Sequence, residues 1–346
     1  MTGATADGIV ISEGERVSVG ASPWALARRR LRRNKVAMAM LGLLVVIILA
    51  CLAAPLYARD IAHTDPFQSN IEGTTIVNGK TVPVMPATTT GLGLGSTPIG
   101  PTWDPHHYFL GADDQGRDVA ARLLYGGRNS LLIGASAAFL TCLIATMIGI
   151  VAGFFGGWLD GVLSRLLDVV WAFPVYLLAI SLSTVLLAES FAIGPLKFQS
   201  GSLLVPILII AVVYIPYVAR PIRGEVMSLR RREFVEAAEG LGASTWRVLW
   251  SDILPNVVTT AIVFFPLMLA IDMLTEAALS FLSIGVQPPD ASWGTIILDG
   301  QGLLYTRPVV AIAPGIAIAI TVLALNVLGD GIRDALDPRA KLRGTD

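Results

Sequence analysis

Charge is scarce in this 346-residue chain: Asp, Glu, Lys and Arg make up 15% of it, against 54% apolar residues, and the mean hydropathy is +0.67. A soluble domain of that length needs far more charge to cover its surface, so a pair of soluble domains is excluded and a membrane protein is indicated. Cysteine is scarce too. Cys51 and Cys142 both lie inside apolar runs and read as small packing residues, which leaves no disulfide framework. The three histidines are His63, His106 and His107; with no cysteine beside them their spacing matches no standard metal site, and they read as surface polar residues. A net charge of −1 argues against a general nucleic-acid binder. G-x-S-x-G, H-E-x-x-H and any convincing nucleophile–base set are missing, so no catalytic residue is assigned. Gly79-Lys80-Thr81 is the single GK[ST] sequence, and five residues separate Gly73 from Gly79 where a phosphate loop has four. The chain shows no ATP site of its own.

What the chain has in abundance is long apolar runs. A helix needs about 20 mostly apolar residues to cross the hydrocarbon core. Residues 36–57, 130–153, 169–188 and 308–329 meet that test with no charge. Residues 200–219 are also uncharged, and 257–284 contain two acids, Asp272 and Glu276. The reading is an all-α integral membrane protein of six spans. Arg28, Arg29, Arg30, Arg32, Arg33 and Lys35 precede the first span, and six arginines lie at residues 220–256, between the fourth and fifth runs in chain order. Placing both termini in the cytoplasm puts most of the 25 basic residues there, as the positive-inside rule requires. The expected organisation is a cytoplasmic tail over 1–35, a first span over 36–57 and an extracytoplasmic loop over 58–129. A five-helix core over 130–330 and a cytoplasmic tail over 331–346 complete it.

Between the spans, residues 1–22 are rich in Gly, Ala, Ser and Thr and read as disordered. In the outer loop, residues 74–77 and 80–84 flank Asn78-Gly79, a strong hairpin signal. Residues 88–105 read as irregular loop, and a short amphipathic helix is expected over 117–125, leading into the second span. Asp168 is expected to pair with Arg165, three residues away. Pro174, Pro206, Pro216, Pro266 and Pro314 suggest kinks, and Gly149, Gly153 and Gly156-Gly157 read as close-packing sites.

The inner loop 220–256 is the most informative segment. Phe234, Ala237, Ala238 and Leu241 recur at helical spacing, as do Trp246, Leu249, Trp250 and Ile253. Two short amphipathic helices are expected, separated by Gly240-Leu241-Gly242, with Ser244 capping the second. Ala237 and Ala238 leave a low surface on which another protein can approach closely, and Glu236, Glu239 and Arg247 surround it with charge.

Glu236-Ala237-Ala238, followed by Gly242 and then Leu254-Pro255, resembles the EAA loop of ATP-binding-cassette importer permeases. The family often has an aliphatic residue where this chain has Asp252, with Ile253 one place along. Phe109-Leu110-Gly111-Ala112-Asp113-Asp114-Gln115-Gly116-Arg117-Asp118 is similar to the segment before the second span in dipeptide and oligopeptide permeases. So are Glu276-Ala277-Ala278-Leu279-Ser280-Phe281-Leu282, Gln287-Pro288-Pro289, Ser292-Trp293-Gly294 and the closing Asn326-Val327-Leu328-Gly329-Asp330 with Asp337-Pro338-Arg339. In that order they resemble the C-type permease subunit with the type I importer fold.

That resemblance implies a bacterial inner-membrane protein that imports di- or oligopeptides by alternating access. Its implied partners are a homologous B-type permease, two cytoplasmic ATPases that bind ATP and Mg, an extracytoplasmic substrate-binding protein and membrane lipid. The chain itself would bind no cofactor or metal and catalyse nothing, and no nucleic acid is implied. Glu236, Ala237, Ala238, Gly242, Leu254 and Pro255 would carry the coupling to an ATPase. Nickel, glutathione or oligosaccharide are alternative substrates in the branch, and a membrane sensor or scaffold without transport is the alternative of a different class.

Two further residue groups are candidates. Asp272 and Glu276 are four apart on one helix face, and acids inside a span usually face a cavity or a partner. They are candidate pathway or gate residues, with a structural bond from Glu276 near the outer end of the span as the alternative. Asp113, Asp114, Arg117 and Asp118 form a candidate outer brace near a docking face.

Overall fold

The computed structural model describes residues 23–77, 79–88, 95–188, 191–193, 196–198 and 201–337. The expected disorder over 1–22 and the closing Pro338-Arg339 lie outside the described residues, as does Asn78. The first described element is α1 (Pro23–Arg33), which stops at Asn34. The Asn34 side chain accepts the Ala37 N–H at 3.1 Å and so caps α2 (Lys35–Leu52). A short α3 (Ala54–Leu56) and a π-helical turn over Tyr57–Ile61 lead into the loop, where β1 (Thr74–Val77) pairs with β2 (Lys80–Pro83). The hairpin expected around Asn78-Gly79 is present, with Gly79 at φ +75°. Lys80 and Thr81 sit in its second strand, which is no setting for a phosphate loop.

α4 runs from Val119 to Phe155 without interruption. Its 37 residues rise about 55 Å, well beyond the roughly 30 Å of hydrocarbon. The helix expected separately over 117–125 is the first turns of α4, and the loop therefore ends at 118 instead of the expected 129. After Gly156 come α5 (Gly157–Trp171) and α6 (Val175–Ala188), bent by 89° relative to each other. The continuous third span expected over 169–188 is thus wrong. Pro174 lacks an N–H and drives Phe173 out of the helical region, so the chain turns there. β3 (Phe191–Ile193) and β4 (Leu196–Phe198) form a second small hairpin before α7 (Leu204–Leu229).

α8 (Glu233–Gly240) and α9 (Thr245–Val248) form the loop after α7. A π-helical turn over Leu249–Ile253 then joins α9 to α10 (Leu254–Phe281). The second loop helix is therefore the first part of a 37-residue helical run over Thr245–Phe281 instead of a separate element. α11 (Trp293–Gln301), which the apolar pattern did not mark, and α12 (Val309–Leu336) complete the fold. Among the described residues five helical runs are long and apolar enough to cross a membrane, six with the bent α5–α6 pair.

The centre of the bundle is α4 against α7. A Cβ at Gly149 would meet Ile222 at 2.6 Å, and one at Gly153 would meet the Arg223 carbonyl at 2.7 Å, so both glycines set the helix separation. Gly156 and Gly157 do not pack this way. They take φ of +64° and +57° in open surroundings and turn the chain from α4 into α5. Asp160 then pairs with Arg223 through both carboxylate oxygens at 2.5 and 2.6 Å. Asp168 lies 2.8 Å from Arg220 of α7 and 3.8 Å from Arg165, so its nearer partner is not the one that sequence spacing suggested. Both cysteines are free and buried.

Candidate functional site

The loop between α7 and α10 owes its shape to two local devices. Gly242 takes φ +82°, a left-handed conformation that ends α8, and the Ser244 side chain accepts the Arg247 N–H at 3.4 Å to start α9. Val235, Val248, Leu249 and Ile253 turn inward and join the core of the bundle. The other face stays open: Leu241 is 90% exposed, Trp246 67%, Trp250 64% and Phe234 46%. Glu236 and Ala237 are exposed beside them and Ala238 is half-buried. Of the two apolar stripes read from spacing, the first is the open one; the second divides, with Leu249 and Ile253 in and Trp246 and Trp250 out. Leu254 and Pro255 start α10 directly behind this surface.

At the opposite end of the bundle, the segment Asp113–Asp118 is tied into α4 and α11. Asp113 Oδ1 accepts the backbone N–H groups of Gln115 and Arg117, both at 2.9 Å, and its Oδ2 lies 2.7 Å from Arg117 Nε. Arg117 Nη2 reaches Asp299 of α11 at 2.9 Å. Arg122, one turn into α4, reaches Asp299 at 2.7 Å and Asp113 at 3.3 Å and donates to the Pro66 carbonyl at 3.2 Å. Asp118 caps α4 by accepting the N–H groups of Ala120 and Ala121 at 2.8 and 3.1 Å. Asp114 stands at the edge, 3.9 Å from Arg117. Burial pushes the Asp299 and Asp118 carboxyls up, against the neighbouring guanidiniums in one case and the two backbone donors in the other. Burial and the nearby Asp113 push Asp114 up as well. Oxygens of Asp113, Asp114 and Asp299 lie within 4.8 Å of one another. Arg117 and Arg122 already supply the positive charge that a cation would bring.

Arg122 and Asp299 carry no mark in the sequence. Asp299 lies 177 residues from Arg122, so no spacing rule connects them.

Asp272 and Glu276 are both wholly buried inside the chain. Glu276 Oε2 accepts from Ser130 of α4 and Oε1 from Ser280, each at 2.7 Å. Those same hydroxyl oxygens accept backbone N–H groups, Ser130 from Trp293 at 3.1 Å and Ser280 from Val286 at 3.0 Å. One carboxyl group thus joins α4, α10, the following loop and the start of α11. Asp272 makes no hydrogen bond through either oxygen. A cavity of about 1100 Å³ opens elsewhere, between α1, α7, α10 and α12, with Arg30, Glu225, Asn256, Asn326 and Asp330 among its walls and neither acid near it.

Comparison with known proteins bears on these features. Residues 145–342 match the family described as binding-protein-dependent transport system inner membrane component. Residues 22–72 match the N-terminal transmembrane domain of oligopeptide transport permease C. The dipeptide transport system permease protein DppC of Alkalihalophilus pseudofirmus is 34% identical over 321 residues, 92% of this chain and 91% of that one. The glutathione transport system permease protein GsiD of Pectobacterium atrosepticum is 38% identical over 68% of this chain and 73% of its own. A putative peptide transport system permease protein of Brucella abortus is 36% identical over 94% of this chain and 95% of its own. Among solved structures, the inward-facing MetNI methionine ABC transporter aligns with a TM-score of 0.50 at 17% identity, over 62% of this chain and 96% of that chain. That likeness concerns the fold, which is that of a type I importer permease.

Proposed function

This chain belongs to the binding-protein-dependent transport system inner membrane components, the permease subunits of ATP-binding-cassette importers, and on that basis we propose that it imports di- and oligopeptides. In this reading it lies in a bacterial inner membrane with both termini in the cytoplasm. It pairs with a homologous B-type permease, receives substrate from an extracytoplasmic binding protein and is driven by two ATPases that bind ATP and Mg. The chain holds no cofactor and performs no catalysis.

The observation that carries the coupling is the open apolar face of the α8–α9 loop. Large apolar side chains exposed together with charged neighbours mark a protein contact. Behind that face the helical run passes straight into α10, so displacement of the loop moves a span as a rigid body. Glu236, Ala237, Ala238 and Gly242 shape the seat, and Leu254 and Pro255 fix where α10 leaves it. At the other end, Asp113, Asp114, Arg117 and Asp118 brace the surface that meets the binding protein. Glu276 ties the outer gate through its two serine partners. Asp272, one turn away on the same helix and wholly buried, is the second candidate for the pathway or gate.

Glutathione, itself a tripeptide, is the second substrate to weigh, because the relatives include glutathione permeases. Uptake in cells lacking the chain, with and without its restoration, separates the substrates. Labelled di- and tripeptides, glutathione and nickel are offered in parallel. Peptide uptake that returns only with the intact chain is the expected result; return of glutathione or nickel uptake alone moves the substrate. Coupling is tested by Leu241→Ser with Trp246→Ser, which should abolish co-purification of the ATPases. Retention of both ATPases by that variant removes the loop from the coupling role.

A further inference from the structure

α1 has one face that no other described residue covers. Arg28, Arg29, Arg32 and Arg33 are all exposed. At 100° per residue they fall within one arc of the helix. The opposite face carries Ala27, which is buried, and Leu31, which packs near Gly331 of α12. Arg30, also on that side, donates to the Asp337 carbonyl at 2.9 Å. No Asp or Glu occurs between Pro23 and Arg59, and among the described residues no carboxylate pairs with the four outer arginines. A cluster of four guanidiniums without a described counter-charge repels itself, and an anion bound there relieves that repulsion.

The residues after α1 fix the depth of this face. Asn34 breaks the helix and caps α2, so α1 turns away from the span instead of extending it. Lys35 is the last charge before the uncharged run to Leu52, and α1 lies against the end of α12 that carries Arg333 and Asp334. That places the arginine face at the headgroup layer, on the side proposed to be cytoplasmic. An amphipathic helix with a basic face and a tryptophan at its start, here Trp24, suits that layer.

We infer that α1 is a docking face for anionic phospholipid headgroups. Arg presents a planar fork that pairs with phosphate oxygens through two hydrogen bonds, so a phosphodiester with net negative charge is the chemistry it takes. The same helix forms a wall of the 1100 Å³ cavity whose other wall includes Pro255 and Asn256 at the start of α10. Lipid held on α1 therefore steadies one side of the cavity beside the span that leaves the coupling loop.

The test uses the full-length chain in detergent, exposed to equal amounts of phosphatidylglycerol and phosphatidylcholine, with bound lipid counted by native mass spectrometry. Preferential retention of phosphatidylglycerol is expected, falling at least roughly fivefold when the four arginines become Gln. Arg231→Gln with Arg232→Gln, a second basic pair on the same side, should leave the preference in place. The wild-type chain provides an arm that needs no variant: the preference should fade in about 0.5 M salt, where charges are screened within a few ångström. Equal retention of the two lipids, a preference that survives high salt, or one unchanged in the Gln variant overturns the inference. Loss of the preference on adding millimolar inorganic phosphate also overturns it, because the face would then be a free-anion site.

Discussion

At one end of the bundle Arg117 and Arg122 are 6% and 2% exposed, while at the other Leu241 and Trp246 stand in the open. The first region has buried its charge and the second has exposed its apolar surface, and each does so for a physical reason. A buried guanidinium is tolerable only with its partners in place, and here Asp113, Asp299 and the Pro66 carbonyl are all within reach of Arg122. The charge partners all come from within the chain, although Arg122 Nε itself makes no hydrogen bond, so the network acts as an internal tie between the loop, α4 and α11. The exposed face of the α8–α9 loop is covered by no described residue of the chain, and the proposed ATPase contact would cover it. Self-sufficiency at one end and an uncovered apolar face at the other are what the proposed coupling to a partner would require.

Several substitutions put this contrast to the test. The largest effect is expected from Arg122→Met, which leaves Asp113 and Asp299 sharing Arg117 alone. A loss of about 3–5 kcal/mol is expected, read as a fall in thermal stability of the purified chain. Adding Asp299→Asn should recover part of that loss; if it deepens the loss instead, the two residues do not act as a pair. Next comes Glu276→Leu, which strands the Ser130 and Ser280 hydroxyls. It should cost about 2 kcal/mol, and hydrogen exchange should rise at the start of α11 before it rises in α7.

A smaller effect, of opposite sign, is expected at Asp118. Burial raises its carboxyl above the unfolded value of about 3.9, so the folded chain keeps that proton to higher pH than the unfolded one. Its contribution to stability therefore falls as pH rises from the unfolded value through the folded one. Asp118→Asn keeps the cap on α4 and should remove this decline, gaining up to about 1 kcal/mol at neutral pH and nothing in acid. Matching pH profiles for the two proteins would refute the assignment. The smallest change in stability belongs to the opposite end. Leu241→Ser with Trp246→Ser should alter unfolding by no more than about 0.5 kcal/mol while removing ATPase retention. A large destabilisation there would mean that the face packs within the chain.

How far these features are legible from sequence differs between the regions. The hairpin around Gly79, the cap at Ser244 and the close approach at Gly149 and Gly153 each follow from a few adjacent residues, and the structure has all of them. The stripe through Phe234, Ala237 and Leu241 is visible by its spacing, but spacing is silent on whether a stripe faces in or out. The brace is visible only as Asp113–Asp118, since its other half sits on α4 and α11. α11 escapes notice because nine residues are too few to make a strong periodic signal.

Composition and residue order alone establish that the chain has several helices apolar enough to cross a membrane and where most of them lie, while the resemblance of residues 236–255 to the EAA loop adds which loop is the coupling candidate. Hydrocarbon imposes those properties segment by segment, so each can be read without its neighbours in space. The 89° bend between α5 and α6 at Pro174, the closure of Arg122 on Asp299 and the grip of serines from two elements on Glu276 emerge only in the folded chain. Each of those depends on which helices lie side by side, and packing between distant segments sets that arrangement.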